Sequence, residues 1–306
     1  MDCEHHHHHH GTTQNRRVLT VSLIIIASYM LVEVIGGFLT GSLALLADAG
    51  HMLSDAVSLG LSLIAFTLSN KTVNKQKTYG YKRFEILAAV LNGILLLYVA
   101  GYIIIEAVER FSRPTEIATS GMLLIAIVGL LVNILVAWYM MRGGDVKGNL
   151  NMRGAYLHVI SDMIGSIGAI IAALMMMYGG WNWADPVASI IVALLVLRSG
   201  YIQTKASVHV LMEGSPTEVN IEQISELILS HKEIITIHDL HVWSITSGYN
   251  ALTCHAVVDA DMSIAEAENL LHTIEKELIG IDIHHTTIQI ETPQHKHHED
   301  LLCHLS

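Results

Sequence analysis

Twice in the apolar, membrane-like part of this chain a histidine is followed four residues later by an aspartate: His51 and Asp55 in LADAGHMLSDA, and His158 and Asp162 in AYLHVISDMIG. Positions i and i+4 share one face of a helix, so each stretch presents an imidazole beside a carboxylate. Two such helices facing each other supply two nitrogens and two oxygens, enough for a tetrahedral Zn²⁺ shell. The surrounding residues are apolar, and ionisable groups in a bilayer are costly and mark an ion path. A metal-bound imidazole must be neutral, so protons and metal compete for it. Such a site can exchange one for the other without a separate motor.

These side chains need elements that carry them into an apolar setting. The chain has 306 residues, of which 52% are hydrophobic and only 15% charged. Apolar runs of bilayer-spanning length predict six helices, at about 17–39, 45–69, 84–106, 118–141, 153–178 and 184–205. Gly36, Gly37 and Gly41 are expected to break the chain between the first two. Pro114, Gly143-Gly144 and Gly179-Gly180 mark later connections, and Asp185-Pro186 opens the last helix. Lys71, Lys75, Lys77, Lys82 and Arg83 fill the 2–3 connection, and Arg142, Lys147 and Arg153 the 4–5 connection. Arg16 and Arg17 flank the first helix, while connections 1–2 and 5–6 carry no Lys or Arg. The positive-inside rule then places both termini in the cytoplasm. Helices 2 and 5 run in the same direction, so the two His/Asp pairs can reach one depth. Asp48, one turn before His51, reads as an entry or supporting residue. Glu33, Asn92 and Asn133 read as interhelical packing partners.

After about residue 206 the pattern turns soluble. An amphipathic helix at 218–230, strands at 236–245 and 250–258, a helix at 263–278 and a strand at 286–291 give the order αββαβ. Ser263 and Glu266 have capping-box spacing. A three-stranded sheet has an exposed edge and a modest core, which favours dimerisation. Residues 207–306 hold 3 Lys+Arg against 16 Asp+Glu, and the whole chain carries a formal charge of −11. That acidity argues against nucleic acid and for cations. Cys3, Cys254 and Cys303 are an odd set, consistent with free thiols in a reducing compartment. Neither a Walker A motif nor HExxH is present, and no organic cofactor or enzyme activity is implied. The hexahistidine run His5 to His10 carries no functional argument. The tail residues His295, His297, His298, Cys303 and His304 form a candidate soft metal-gathering segment.

Five blocks in order are SLALLADAGHMLSDA (42–56), YGYKRFEILAAVLNG (79–93), RGAYLHVISDMIGS (153–166), WADPVAS (183–189) and HDLHVWSITSG (238–248). On these blocks the chain, from about 17 to 293, resembles the cation diffusion facilitator family, most closely the bacterial cadmium–zinc–cobalt resistance efflux type. The resemblance implies a homodimeric α-helical membrane bundle of six transmembrane helices with a cytoplasmic α+β, metallochaperone-like domain. Residues 1–16 would be a His-rich tail, 17–206 the membrane domain, 207–293 the metal-sensing and dimerisation domain, and 294–306 a His/Cys-containing tail. The bacterial inner membrane is the implied location. The transport site maps onto His51, Asp55, His158 and Asp162. Some members have Asp where His51 stands, and the His form goes with a preference for Zn²⁺ over Cd²⁺. The cytoplasmic metal site maps onto His238 and His255 with Glu291 as third ligand; His272, His284 and His285 are reserves, Glu268 stands where some relatives have His, and His241 is placed on the opposite side of its strand. Asn74, Lys77 and Tyr81 stand where some relatives carry ligands in the 2–3 connection, so no site is expected there.

The function expected is divalent metal efflux, Zn²⁺ first and Cd²⁺ and Co²⁺ after it, by alternating-access antiport against protons, with K⁺ as the other candidate counter-ion. Zn²⁺ is then both transported substrate and regulatory ligand. A metal-gated channel and a membrane-anchored metal sensor are the competing classes. Arg83 and Glu213 are expected to pair at the membrane boundary.

Overall fold

A computed structural model of the chain describes residues 9–53, 56, 75–143, 150–246, 248–295 and 301; the side chains of 9–16, 19, 150–155 and 158 are not described. Two compact units emerge: Met1–Gly60 with Leu91–Thr204, and Leu61–Val90 with Lys205–Ser306.

The first unit is helical. Its elements are α1 (His9–Thr40), α2 (Leu43–Leu53), most of α3 (Arg83–Ser112), α4 (Thr119–Gly143), α5 (Leu150–Gly179) and most of α6 (Ala184–Leu211). Five of these are long and apolar enough to cross a membrane, and α2 is a shorter apolar helix. The part of the predicted second helix beyond residue 56 lies outside the described residues. Large apolar side chains face outward along the helices, Leu91, Leu131, Ile164 and Leu195 among them. A protein surrounded by water would not expose so many.

Packing inside the unit uses small residues, which let helix backbones approach closely. Ala169, Ala172 and Ala173 of α5 meet Ala44 and Leu45 of α2 and Met122 and Ala126 of α4. Val18 of α1 and Val159 of α5 close on Val136 and Met140 of α4. Leu96 and Ala100 of α3 pack on Val196 of α6, and Asn92 donates to Gln203 across the same seam at 3.4 Å. Between the two groups, Ala47 of α2 touches Ile103 and Ala193. The expected break after the first helix needs correction: Gly36 and Gly37 continue α1, and only Gly41, at φ +71°, makes the turn. Gly41 adopts the left-handed conformation that side chains disfavour.

The second unit contains the α+β fold: α7 (Ile221–Leu229), β1 (Ile234–Thr246), β2 (Tyr249–Val258), α8 (Ile264–Ile279) and β3 (Ile283–Glu291). The sheet order is β1-β2-β3, with β1 antiparallel and β3 parallel to the central β2. Ile224 and Ile228 of α7, and Leu270, Ile274 and Leu278 of α8, repeat at helical spacing and bury against Ile237, Leu252, Cys254 and Ala256. The αββαβ reading of the sequence holds, with ends shifted by up to three residues. Asn220 caps α7 by accepting from the Glu222 and Gln223 amides. Ser263 and Glu266 form the expected capping box on α8, whose hydrogen bonds hold the Glu266 carboxyl below its ordinary range.

The start of α3 belongs to this unit. Arg83 Nη2 lies 3.2 Å from Glu213 Oε1, as the sequence led us to expect. Both groups are substantially exposed, so the pair is worth at most about 1 kcal/mol. Thr246 donates to Glu85 at 2.8 Å. Lys82 Nζ sits 3.2 Å over the Tyr249 ring, and partial burial lowers its pKa.

Candidate metal sites

The membrane site is built from the end of α2 inward. Ser42, after the Gly41 turn, caps α2 by accepting from the Leu45 amide. The buried carboxylate of Asp185, at the start of α6, accepts from Ser42 Oγ at 2.6 Å, from the Leu43 amide at 3.0 Å and from the Ala44 amide at 3.2 Å. A carboxylate at a helix N-terminus meets unpaired amides and the positive end of the dipole. Arg110 of α3 completes the joint. It donates to the Gly41 carbonyl at 2.6 Å and lies 3.9 Å from Asp185 Oδ2, while Glu106 holds its Nε at 3.1 Å. Two helices, α3 and α6, thus fix the height and rotation of α2.

Along α2, Asp48 and His51 turn toward α5. His51 Nε2 lies 3.9 Å from Asp162 Oδ1, and the Asp162 side chain is fully buried. A Zn²⁺ shell with bonds of about 2.0–2.1 Å has ligand–ligand edges of about 3.3 Å, so this pair sits about 0.6 Å wide of one. Gly165, one turn after Asp162, makes the close approach possible: a Cβ there would lie 2.7 Å from Asp48 Oδ1. The backbone of His158 lies in α5 one turn before Asp162. Its side chain, and Asp55 entirely, lie outside the described residues. Asp48, His51, Ser161 and Asp162 line one part of a cavity of about 510 Å³ whose other walls are mainly apolar residues of α5 and α6.

Glu33 belongs to this neighbourhood. It is buried on α1, its Oε1 lies 3.2 Å from the Tyr29 hydroxyl, and its charged neighbours are Asp48 and Asp162. Read from sequence it was a packing residue; the fold sets it behind Asp48. Only tertiary structure carries that information.

The second cluster lies on the sheet. His238 of β1 and His255 of β2 are cross-strand partners, and Glu291 ends β3. His255 Nδ1 is 2.9 Å from Glu291 Oε1, and His238 Nε2 is 3.3 Å from Glu291 Oε2. His238 and Glu291 are buried. One donor atom from each of the three residues falls within 4.8 Å of the others, the only such trio among the described residues. The two His–Glu291 distances, made to different carboxylate oxygens, lie near the edge of about 3.3 Å of a tetrahedral metal shell. The other candidates lie elsewhere: His284 stacks on Tyr249 and His285 meets the edge of Tyr79, while His272 and Glu268 line a separate groove on α8. Cys254 lies in the apolar core of the domain, where burial pushes its thiol up to about 12.

One residue here escaped the sequence reading. Strict alternation put Asp239 and His241 opposite His238. A β-bulge lies between His238 and His241, with Asp239 at φ +53°. Aspartate tolerates the left-handed region better than most residues. The extra residue re-aims the chain, and Asp239 approaches both His241 Nε2 at 3.1 Å and His255 Nε2 at 3.8 Å.

Comparison with known proteins bears on both units. Residues 19–212 match the cation efflux transmembrane domain, and residues 216–293 match the cation efflux protein cytoplasmic domain. The chain is 62% identical over 286 residues to the "cadmium, cobalt and zinc/H(+)-K(+) antiporter" of Bacillus subtilis, covering 94% of this chain and 92% of that protein. It is 43% identical over 282 residues to the zinc transporter ZitB of Escherichia coli (92% and 88%), and 40% identical over 273 residues to the metal cation efflux system protein CzcD of Cupriavidus metallidurans (89% and 85%). With five helices long and apolar enough to span a membrane, the approach of His51 to the buried Asp162 and both matched domains in order, this integral membrane protein belongs to the cation efflux, or cation diffusion facilitator, family.

Proposed function

We propose that the protein exports Zn²⁺, and with it Cd²⁺ and Co²⁺, from the cytoplasm in exchange for protons. The observation that carries this reading is the approach of His51 on α2 to Asp162 on α5 at the edge of a cavity. An imidazole beside a buried carboxylate binds either a divalent metal or protons, so loading one releases the other. Asp55 and His158 complete the four donors. Metal enters from the cytoplasmic side, the bundle rocks, and protons from the outside displace it. Asp48 and Glu33 extend the carboxylate path behind the ligands.

The B. subtilis relative's name includes K⁺, so K⁺ accompanies H⁺ as a counter-ion in this reading. Both termini face the cytoplasm of a bacterial inner membrane, and the cytoplasmic domains pair two copies into a homodimer. His238, His255 and Glu291 hold a regulatory Zn²⁺. The test is zinc flux into proteoliposomes under an imposed pH gradient. An antiporter accelerates zinc with the gradient and moves protons in return. A metal-gated channel passes zinc with no proton countermovement, and a sensor binds zinc and moves none.

A further inference from the structure

Glu33 is an acid that the four-donor site does not use. It sits on α1, is only 1% exposed and lies among apolar helices, where an ionised group is expensive to keep. Its Oε1 lies 3.2 Å from the Tyr29 hydroxyl, one turn earlier in α1. That hydroxyl also lies 3.0 Å from the Ile125 carbonyl of α4, and it has a single proton to give. Glu33 Oε2 is shielded from solvent and meets no N–H or O–H donor among the described residues. The Glu33 carboxyl is instead within hydrogen-bonding reach of the Asp48 carboxyl on α2. Two ionised carboxylates have no proton to share, so this contact requires one proton on the pair. Asp162 of α5 is the other charged group that acts on Glu33, and no Lys or Arg is among these neighbours.

We propose that Glu33, paired with Asp48, is a proton site separate from the metal ligands, protonated while the metal shell is empty and ionised once Zn²⁺ fills it. The inference rests on the antiport reading and names where one exchanged proton resides. With the shell empty, the Asp162 carboxylate opposes a further negative charge on Glu33. Zn²⁺ bound to Asp162 neutralises that carboxylate and brings positive charge close to the pair. The shared proton then leaves for solvent. When protons displace the metal, one of them returns to the pair. This proton adds to those that compete with the metal for His51 and His158 directly. Two carboxyls in contact titrate as a unit, and Glu33 is the more deeply buried of the two.

The experiment uses the full-length protein in detergent, with His238→Ala to silence the cytoplasmic cluster. Protons released per Zn²⁺ bound are measured near neutral pH by calorimetry in buffers of different ionisation enthalpy. Subtracting the same measurement on Asp162→Ala isolates the membrane site from zinc bound elsewhere. Glu33→Gln should still bind zinc there and release about one proton fewer than Glu33 protein, and Glu33→Asp should recover part of that proton. Infrared difference spectra give a second readout that does not need a variant to bind zinc. Glu33 protein should lose a protonated-carboxyl band when Zn²⁺ is added, and ¹³C labelling of glutamate carboxyls should shift that band. Equal proton release with and without Glu33, or no loss of a glutamate carboxyl band on adding zinc, would overturn the assignment and leave the antiport reading standing. If the membrane site of the Glu33 protein binds zinc and releases no proton at all, the antiport reading fails and this inference fails with it.

Discussion

Replacing Asp185 with alanine should disable transport without touching a metal ligand. The carboxylate is fully buried and receives three hydrogen bonds from the first turn of α2, with Arg110 3.9 Å away. Removing one partner of a buried ion pair costs on the order of 3–5 kcal/mol, and loss of a helix cap alone about 1 kcal/mol. A loss of this size should lower the melting temperature by roughly 10 °C. The functional effect follows from leverage. His51 lies eight residues beyond Leu43, about 12 Å along the helix axis. A tilt of about 5° at the released cap moves His51 by about 1 Å at that distance, whereas metal ligation tolerates about 0.2 Å. Asp185→Asn keeps an acceptor and should fall between wild type and Asp185→Ala; Ser42→Ala should lose only about 1 kcal/mol. The assays are thermal unfolding in detergent and zinc flux in proteoliposomes. An Asp185→Ala protein that melts and transports like wild type would refute the reasoning.

Other consequences are as direct. His51→Asp substitutes an oxygen donor for an imidazole, and should raise Cd²⁺ transport relative to Zn²⁺, because the larger ion accepts more oxygen ligands; an unchanged ratio means His51 does not set selectivity. Cys254, its thiol pushed up to about 12 by burial, should resist alkylation at pH 8 until the domain unfolds, since the thiolate is the nucleophile. Folding disfavours that thiolate, so stability should decline as pH climbs past the unfolded thiol value of about 8.5. Intact-mass labelling before and after denaturation checks the first point, and rapid labelling of the native protein would contradict it.

Much of this architecture was legible in the chain because it is local. Apolar runs announced the helices, and the i, i+4 repeats of Leu270, Ile274 and Leu278 announced a one-sided helix. Ser263 and Glu266 announced a cap. What stayed hidden depends on long-range geometry. Asp185 looked like a helix opener for α6, yet its carboxylate caps α2, more than 140 residues earlier in the chain. Glu33 reads as packing in the sequence, and only the fold brings it beside Asp48. Asp239 was misassigned because alternation fails at a bulge, and a left-handed aspartate leaves no period-two signature. Gly36 and Gly37 read as breakers in the sequence, but a helix in an apolar setting tolerates glycine where neighbours such as Ile125 and Leu46 pack closely.

Asp162, the buried carboxylate that faces His51 across α2 and α5, is the most direct point of test. Proteoliposomes holding a zinc-sensitive dye, with an imposed pH gradient, should show gradient-driven zinc entry for wild type and only liposome background for Asp162→Ala. The same variant should still bind zinc through His238, His255 and Glu291, showing that it is folded and that its cytoplasmic domain is intact. Wild-type zinc flux with Asp162→Ala would contradict the assignment of the transport site.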